Sequence, residues 1–151
     1  MLQEYIKEDL IFIDQYYEDR QQFFEEIAAT LVSKGYVTEG FGEFLQDRET
    51  NYPTGLELED YNVAIPHGDP QFIIKPFIAV ARLKESVCLY RMDDPEEAIP
   101  VKFFFFLGLD SGGNHLQILK EIMQQIQNKD MIEQLLVAPT EEAFLLPLKK
   151  L

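Results

Sequence analysis

The chain has 151 residues, 46% of them apolar, which is enough to bury one sizeable core and too little for two independent enzyme domains. Its 27 acidic and 13 basic side chains give a formal net charge of −14, which excludes a nucleic-acid groove and docking on an anionic membrane, since both need a basic patch. Two histidines and one cysteine exclude a disulfide scaffold and a Cys-rich zinc site.

The β-rich run at 10–13 predicts a first strand. Helical spacing follows, with Phe24, Ile27, Ala28 and Leu31 at i, i+3, i+4 and i+7, and Gly35 suits the position just past the helix end. A second helix is predicted from Thr38 as N-cap, with Glu39 and Glu43 early, Phe41, Phe44 and Leu45 on its apolar face and Arg48 near its end. Residues 51–55 read as a turn. Short strands are predicted at 62–65, halted by Pro66, at 77–83 and at 86–91. The run 101–109 holds four consecutive phenylalanines and reads as a central strand covered on both faces. A loop at 108–114 precedes a helix capped by Asn114, with Leu116, Leu119, Ile122, Met123 and Ile126 in a stripe. Asp130 is expected to cap the next helix, and Thr140 a last one cut short by Pro147. Helices, then strands, then helices indicate a mixed αβ domain with a central sheet covered on both faces.

No repeat, low-complexity tract or Pro/Gly/Ser linker interrupts the chain, so residues 1–151 are expected to form one domain. Glu4, Glu8 and Asp9 are wrong for a signal peptide, and the dense apolar run 103–107 is too short to span a bilayer. Cys88 lies between Val87 and Leu89 and no phosphate-binding loop follows it, so it is read as a buried structural thiol in a reducing cytoplasm.

The scarcity of histidine makes each one worth weighing. His67 follows a strand end and Pro66 and precedes Gly68, which places it at the lip of a sheet. His115 follows the expected cap Asn114, in the first turn of a helix where unpaired N–H groups favour an anion. Taken singly, each is commonly a surface or packing residue, and Arg48 is commonly a solvated helix end. A metal site built from both histidines and acidic partners is an alternative, though no HxxxH or HxH spacing supports a metal hydrolase. Phosphoryl carrier chemistry fits better. Neutral imidazole is a nucleophile near pH 7, and the phosphoryl oxygens need donors, which a second histidine, a helix N-terminus and an arginine would supply.

In chain order, Arg48 and Glu49, Thr54 and Gly55, the run Asn62, Val63, Ala64, Ile65, Pro66, His67, Gly68, the stretch 75–84, the strand 101–109 and His115 with Leu116 resemble the enzyme IIA domain of the bacterial sugar phosphotransferase system, fructose/mannitol superfamily. The resemblance spans roughly residues 15–146. The stretches 52–58 and 66–70 lean toward its galactitol-type branch.

The resemblance implies an α/β fold, a three-layer αβα sandwich with a central mixed sheet. It implies that the phosphocarrier HPr donates a phosphoryl group to His67 Nε2, and that His67 passes it to a cysteine of a cognate enzyme IIB, with sugar phosphorylated during transport by enzyme IIC. His115 would support the phosphate and Arg48 would stabilise it, without metal or organic cofactor. The chain itself would contact neither nucleic acid nor the membrane interior. A regulatory module of the same fold, reporting phosphorylation state to a protein partner, is the alternative, and a neighbouring gene for an enzyme IIB or IIC would separate the two. Asp110 near the site is expected to face water. Asp69 either orients a ring or is merely exposed.

Overall fold

A computed structural model describes residues 2–110 and 115–151. Strand β1 (Ile6–Gln15) leads into helices α1 (Arg20–Ser33) and α2 (Phe41–Asn51). Strands β2 (Gly55–Glu57), β3 (Asn62–Ala64), β4 (Phe77–Tyr90) and β5 (Ala98–Gly108) follow, then helices α3 (His115–Gln125), α4 (Lys129–Val137) and α5 (Glu141–Leu148). The sheet order is β1-β4-β5-β3-β2. β1 runs parallel to β4, and β3 parallel to β5, while β4–β5 and β2–β3 are antiparallel.

The four phenylalanines explain the layering. Side chains alternate along a strand, so Phe104 and Phe106 join the core under α1 and α2, with Phe23, Phe24, Ile27, Leu31, Phe41 and Leu45. Phe103 and Phe105 join the opposite core with Ile118, Ile122, Ile132, Leu135 and Phe144 from α3, α4 and α5. All four are fully buried, which stabilises the sheet by roughly 1.5–3 kcal/mol per ring. Phe23 meets Phe104 edge-on with centroids 4.8 Å apart, and Phe24 meets Phe106 the same way at 5.4 Å; such pairs each add about 0.5–1.5 kcal/mol. The expected αβα sandwich with a mixed sheet is what the chain forms.

Several expected boundaries move, each for a local reason. The second helix starts at Phe41, not after Thr38, and its N-cap is Gly40. Thr38 is held in an extended approach because its N–H donates to the Phe72 carbonyl (2.9 Å) while Val37 bridges Ile73. Gly40 lies under the Phe72 ring, where a Cβ would be 2.7 Å from the ring edge. Residues 51–55 are not all turn: α2 runs through Asn51, and Gly55 opens β2. The two strands expected at 77–83 and 86–91 are one, β4, with an irregular register between Arg82 and Val87. Gly108 closes β5 rather than opening a loop, and a Cβ there would collide with the Phe77 ring.

Asn128, not Asp130, caps α4, its side chain accepting from Met131 N–H (3.2 Å). Thr140 caps α5 as expected, accepting from Ala143 N–H (3.1 Å), and Pro147 lies in that helix's last turn. Cys88 is exposed, which corrects its reading as a buried thiol. Val87 and Leu89 point into the core, so strand alternation turns Cys88 and Tyr90 outward. The cap assigned to Asn114 and the loop residues Ser111, Gly112 and Gly113 lie outside the described residues.

Candidate active site

His67 sits just beyond the C-terminal end of β3. There the chain still runs beside β5: Leu107 N–H donates to the Pro66 carbonyl (2.9 Å) and His67 bridges Leu107 in parallel. Carboxyl ends of parallel strands are where open α/β sheets leave a crevice. Gly68 lets this loop press on α2, since a Cβ there would be 2.9 Å from the Phe41 ring. That contact brings His67 against the helix that carries Arg48.

The His67 ring is held on both nitrogens. Nδ1 is 2.9 Å from the Ile65 carbonyl oxygen, and Nε2 is 3.3 Å from Arg48 Nη2. A carbonyl can only accept and a guanidinium can only donate. The proton therefore sits on Nδ1, and Nε2 presents its lone pair. Burial lowers the ring's pKa from the ordinary 6.5, Arg48 and His115 lower it further, and the Ile65 carbonyl opposes them. A bare Nε2 on a neutral imidazole is a nucleophile.

Arg48 is half-buried, not a solvated helix end. Its guanidinium lies 5.7 Å from the Tyr52 ring centroid, and its Nε–H is buried with no protein partner among the described residues. His115 opens α3 and lines one small cleft with His67, Gly68, Leu107, Leu109 and Leu119. His67, His115 and Arg48, far apart in sequence, are thus brought to one place. Asp110 is exposed, as expected of it. Asp69 turns its carboxylate to the N-terminus of the short 3-10 helix Pro70–Phe72, accepting from Gln71 N–H (3.0 Å). Among the described residues no three His, Cys, Asp or Glu side chains converge as metal ligands, and no helix is long and apolar enough to cross a membrane.

Sequence reasoning from the residues alone missed the support beneath the site. Glu49 is 3% exposed and accepts from Thr54 N–H (2.7 Å) and Thr54 Oγ1–H (2.8 Å). The five-residue spacing across a predicted turn was the available signal, but one acid among 27 does not advertise its burial.

The sequence matches the family described as phosphoenolpyruvate-dependent sugar phosphotransferase system, EIIA 2, over residues 4–150. The chain belongs to that family. It is a phosphotransferase component, and the match extends past both ends of the span that the sequence motifs suggest. A curated relative, the galactitol-specific EIIA component of Escherichia coli (strain K12), is 26% identical over 121 residues, covering 80% of each chain. Among solved structures, the mannitol-specific cryptic enzyme IIA CmtB of Escherichia coli superposes with a TM-score of 0.79 at 21% identity, covering 99% of each chain. Enzyme IIA-Mtl in its complex with phosphorylated enzyme IIB-Mtl, also from Escherichia coli, gives a TM-score of 0.76 at 17% identity over 97% of this chain and 98% of that one.

Proposed function

We propose that His67 Nε2 is the phosphoryl acceptor of this EIIA chain, with Arg48 and His115 as the groups that stabilise the transferring phosphate. The observation that carries this is the two-sided clamp on the ring, which leaves a lone pair on Nε2 alone. The donor is a phosphohistidine on the carrier HPr. The Nε2 lone pair attacks phosphorus, the donor's P–N bond breaks, and the donor nitrogen keeps that electron pair. Arg48 leaves Nε2 as the new P–N bond forms and turns its N–H groups to the phosphoryl oxygens, where the unpartnered Nε–H also finds an acceptor. His115, which lines the same cleft, supplies a further donor.

In the second step a cysteine thiolate of an enzyme IIB attacks phosphorus and Nε2 regains its lone pair. Enzyme IIA-Mtl has been captured with phosphorylated enzyme IIB-Mtl, which supports an enzyme IIB as recipient here and through it an enzyme IIC. The reading places the chain in the cytoplasm, beside phosphoenolpyruvate and the donor.

Incubation with phosphoenolpyruvate, enzyme I and HPr, followed by intact-mass measurement, should add one acid-labile phosphoryl group that is absent in His67→Ala. An unphosphorylated wild-type protein overturns the reading. His115→Ala should still be phosphorylated on His67 but hand the group on more slowly; transfer to enzyme IIB at the wild-type rate would remove His115 from the site. A wild-type protein that charges but never discharges to an enzyme IIB favours the regulatory alternative.

A further inference from the structure

The contacts around His67 close into a ring. Glu49 holds Thr54 by its N–H and its hydroxyl, at 2.7 and 2.8 Å. The Thr54 carbonyl accepts from Ile65 N–H (3.3 Å). The Ile65 carbonyl accepts from His67 Nδ1–H (2.9 Å), and His67 Nε2 accepts from Arg48 Nη2 (3.3 Å). Arg48 is covalently joined to Glu49, which completes the circuit.

Every link in this ring has fixed polarity. A carboxylate accepts only, so both Thr54 donors must point at Glu49, and the Thr54 carbonyl is left for Ile65. The peptide that follows Ile65 N–H on the chain carries the carbonyl that sets the His67 tautomer. Both Glu49 and Thr54 are almost fully buried, at 3% and 2% exposure, so water cannot replace either partner. Burial pushes the Glu49 carboxyl up, and the two Thr54 bonds, then Arg20 and Arg48, pull it back. An otherwise unfavourable buried acid is thus tied to one task, fastening the end of α2 to the strand that leads to His67.

We infer that Glu49 and Thr54 are positioning residues for phosphoryl transfer: through the Ile65 carbonyl they hold the His67 proton on Nδ1, and through α2 they hold Arg48 at Nε2. The inference rests on His67 being the acceptor. Its first test is nonetheless independent of any donor, because the tautomer exists in the unphosphorylated protein. Ring 15N spectra of the wild-type chain should show His67 as a single Nδ1–H tautomer.

Glu49→Gln is nearly isosteric but sets an NH2 group against one of the two Thr54 donors. Its His67 spectrum should become a mixture of tautomers. Phosphorylation by phospho-HPr should fall between about 10-fold and 100-fold, the range for losing an orienting partner behind a reacting group, and the loss should sit in kcat rather than KM. Thr54→Val should behave similarly, while Thr54→Ser, which keeps Oγ1, should recover most of the rate. Circular dichroism and thermal melts establish that each variant is folded. If Glu49→Gln misfolds, the contrast between Thr54→Val and Thr54→Ser carries the test. A single Nδ1–H tautomer in Glu49→Gln or Thr54→Val, or equal rates for Thr54→Val and Thr54→Ser, overturns the inference. A wild-type protein with the expected tautomer that phospho-HPr leaves unmodified overturns the functional reading instead.

Discussion

Burial is the largest influence on His67, and it pushes the imidazole below the ordinary 6.5. The unfolded chain therefore takes up a proton near that pH which the folded chain refuses until the pH is lower. More protons bound in the unfolded state means that stability rises with pH across the window. The contribution is full above 6.5 and is lost as pH falls toward the folded value. Urea midpoints measured between about pH 7 and pH 5 should drop more steeply for the wild type than for His67→Gln, and an NMR titration of the ring should place its midpoint under 6.5. A midpoint at or above 6.5 would refute the sign. The chemical consequence runs the same way, because a ring that stays neutral keeps its nucleophilic lone pair in mildly acid conditions. In the sequence the two histidines draw notice by their scarcity, His67 also by its Pro-His-Gly context, while Arg48 enters through the resemblance. Glu49 enters with Arg48 as part of the same motif, but its burial was not legible, since nothing in a chain rich in acids tells a buried carboxylate from a solvated one.

Between elements, one side chain fastens three of them. Arg82 of β4 is 7% exposed and donates through Nη1 to the Leu135 and Ala138 carbonyls at the end of α4, at 2.8 and 2.7 Å. Its Nε and Nη2 donate to the Asp14 carboxylate of β1, where Asp14 takes a left-handed φ of 61°. The last carbonyls of a helix have no intrahelical donor, and the guanidinium supplies one where water is excluded. Arg82→Met fills the volume but strips donors from buried acceptors, and should cost about 3 kcal/mol. For a chain of this length that lowers Tm by roughly 6–12 °C. Asp14→Asn should cost much less, because that carboxylate is 56% exposed and the helix carbonyls remain served. Equal losses from the two variants in calorimetry would contradict this division. The continuity of β4 was hidden, because Lys84 and Glu85 read as a break, whereas the strand runs on through them exposed and with an irregular register. The start of α2 was hidden as well, since Thr38 is a good cap by type and only its tertiary bond to Phe72 shows that it is used otherwise.

For the whole molecule, the charge of −14 and the donor-rich pocket act over different distances. Glu25 of α1 with Glu39, Glu43 and Asp47 lines a groove of about 710 Å³ between α1 and α2. The body is thus acidic while the cleft at His67 gathers a guanidinium and two imidazoles. On the proposed function, a donor protein with basic residues around its own phosphohistidine would be drawn in by the long-range field, and the pocket would act only on contact. Screening separates the two. Between about 0.01 and 0.15 M salt the Debye length shrinks from about 30 to about 8 Å. The second-order rate of phosphorylation by such a donor should fall on the order of 10-fold over that range. The His67 ring titration should move little, because its partners lie within hydrogen-bond distance and the contacts are partly shielded from solvent. Stopped-flow phosphorylation and NMR titration at the same salts test both halves. A rate that is flat or rises with salt means the acidity does not steer the donor. A large salt shift of the ring midpoint would mean that the pocket is more open to solvent than its contacts indicate.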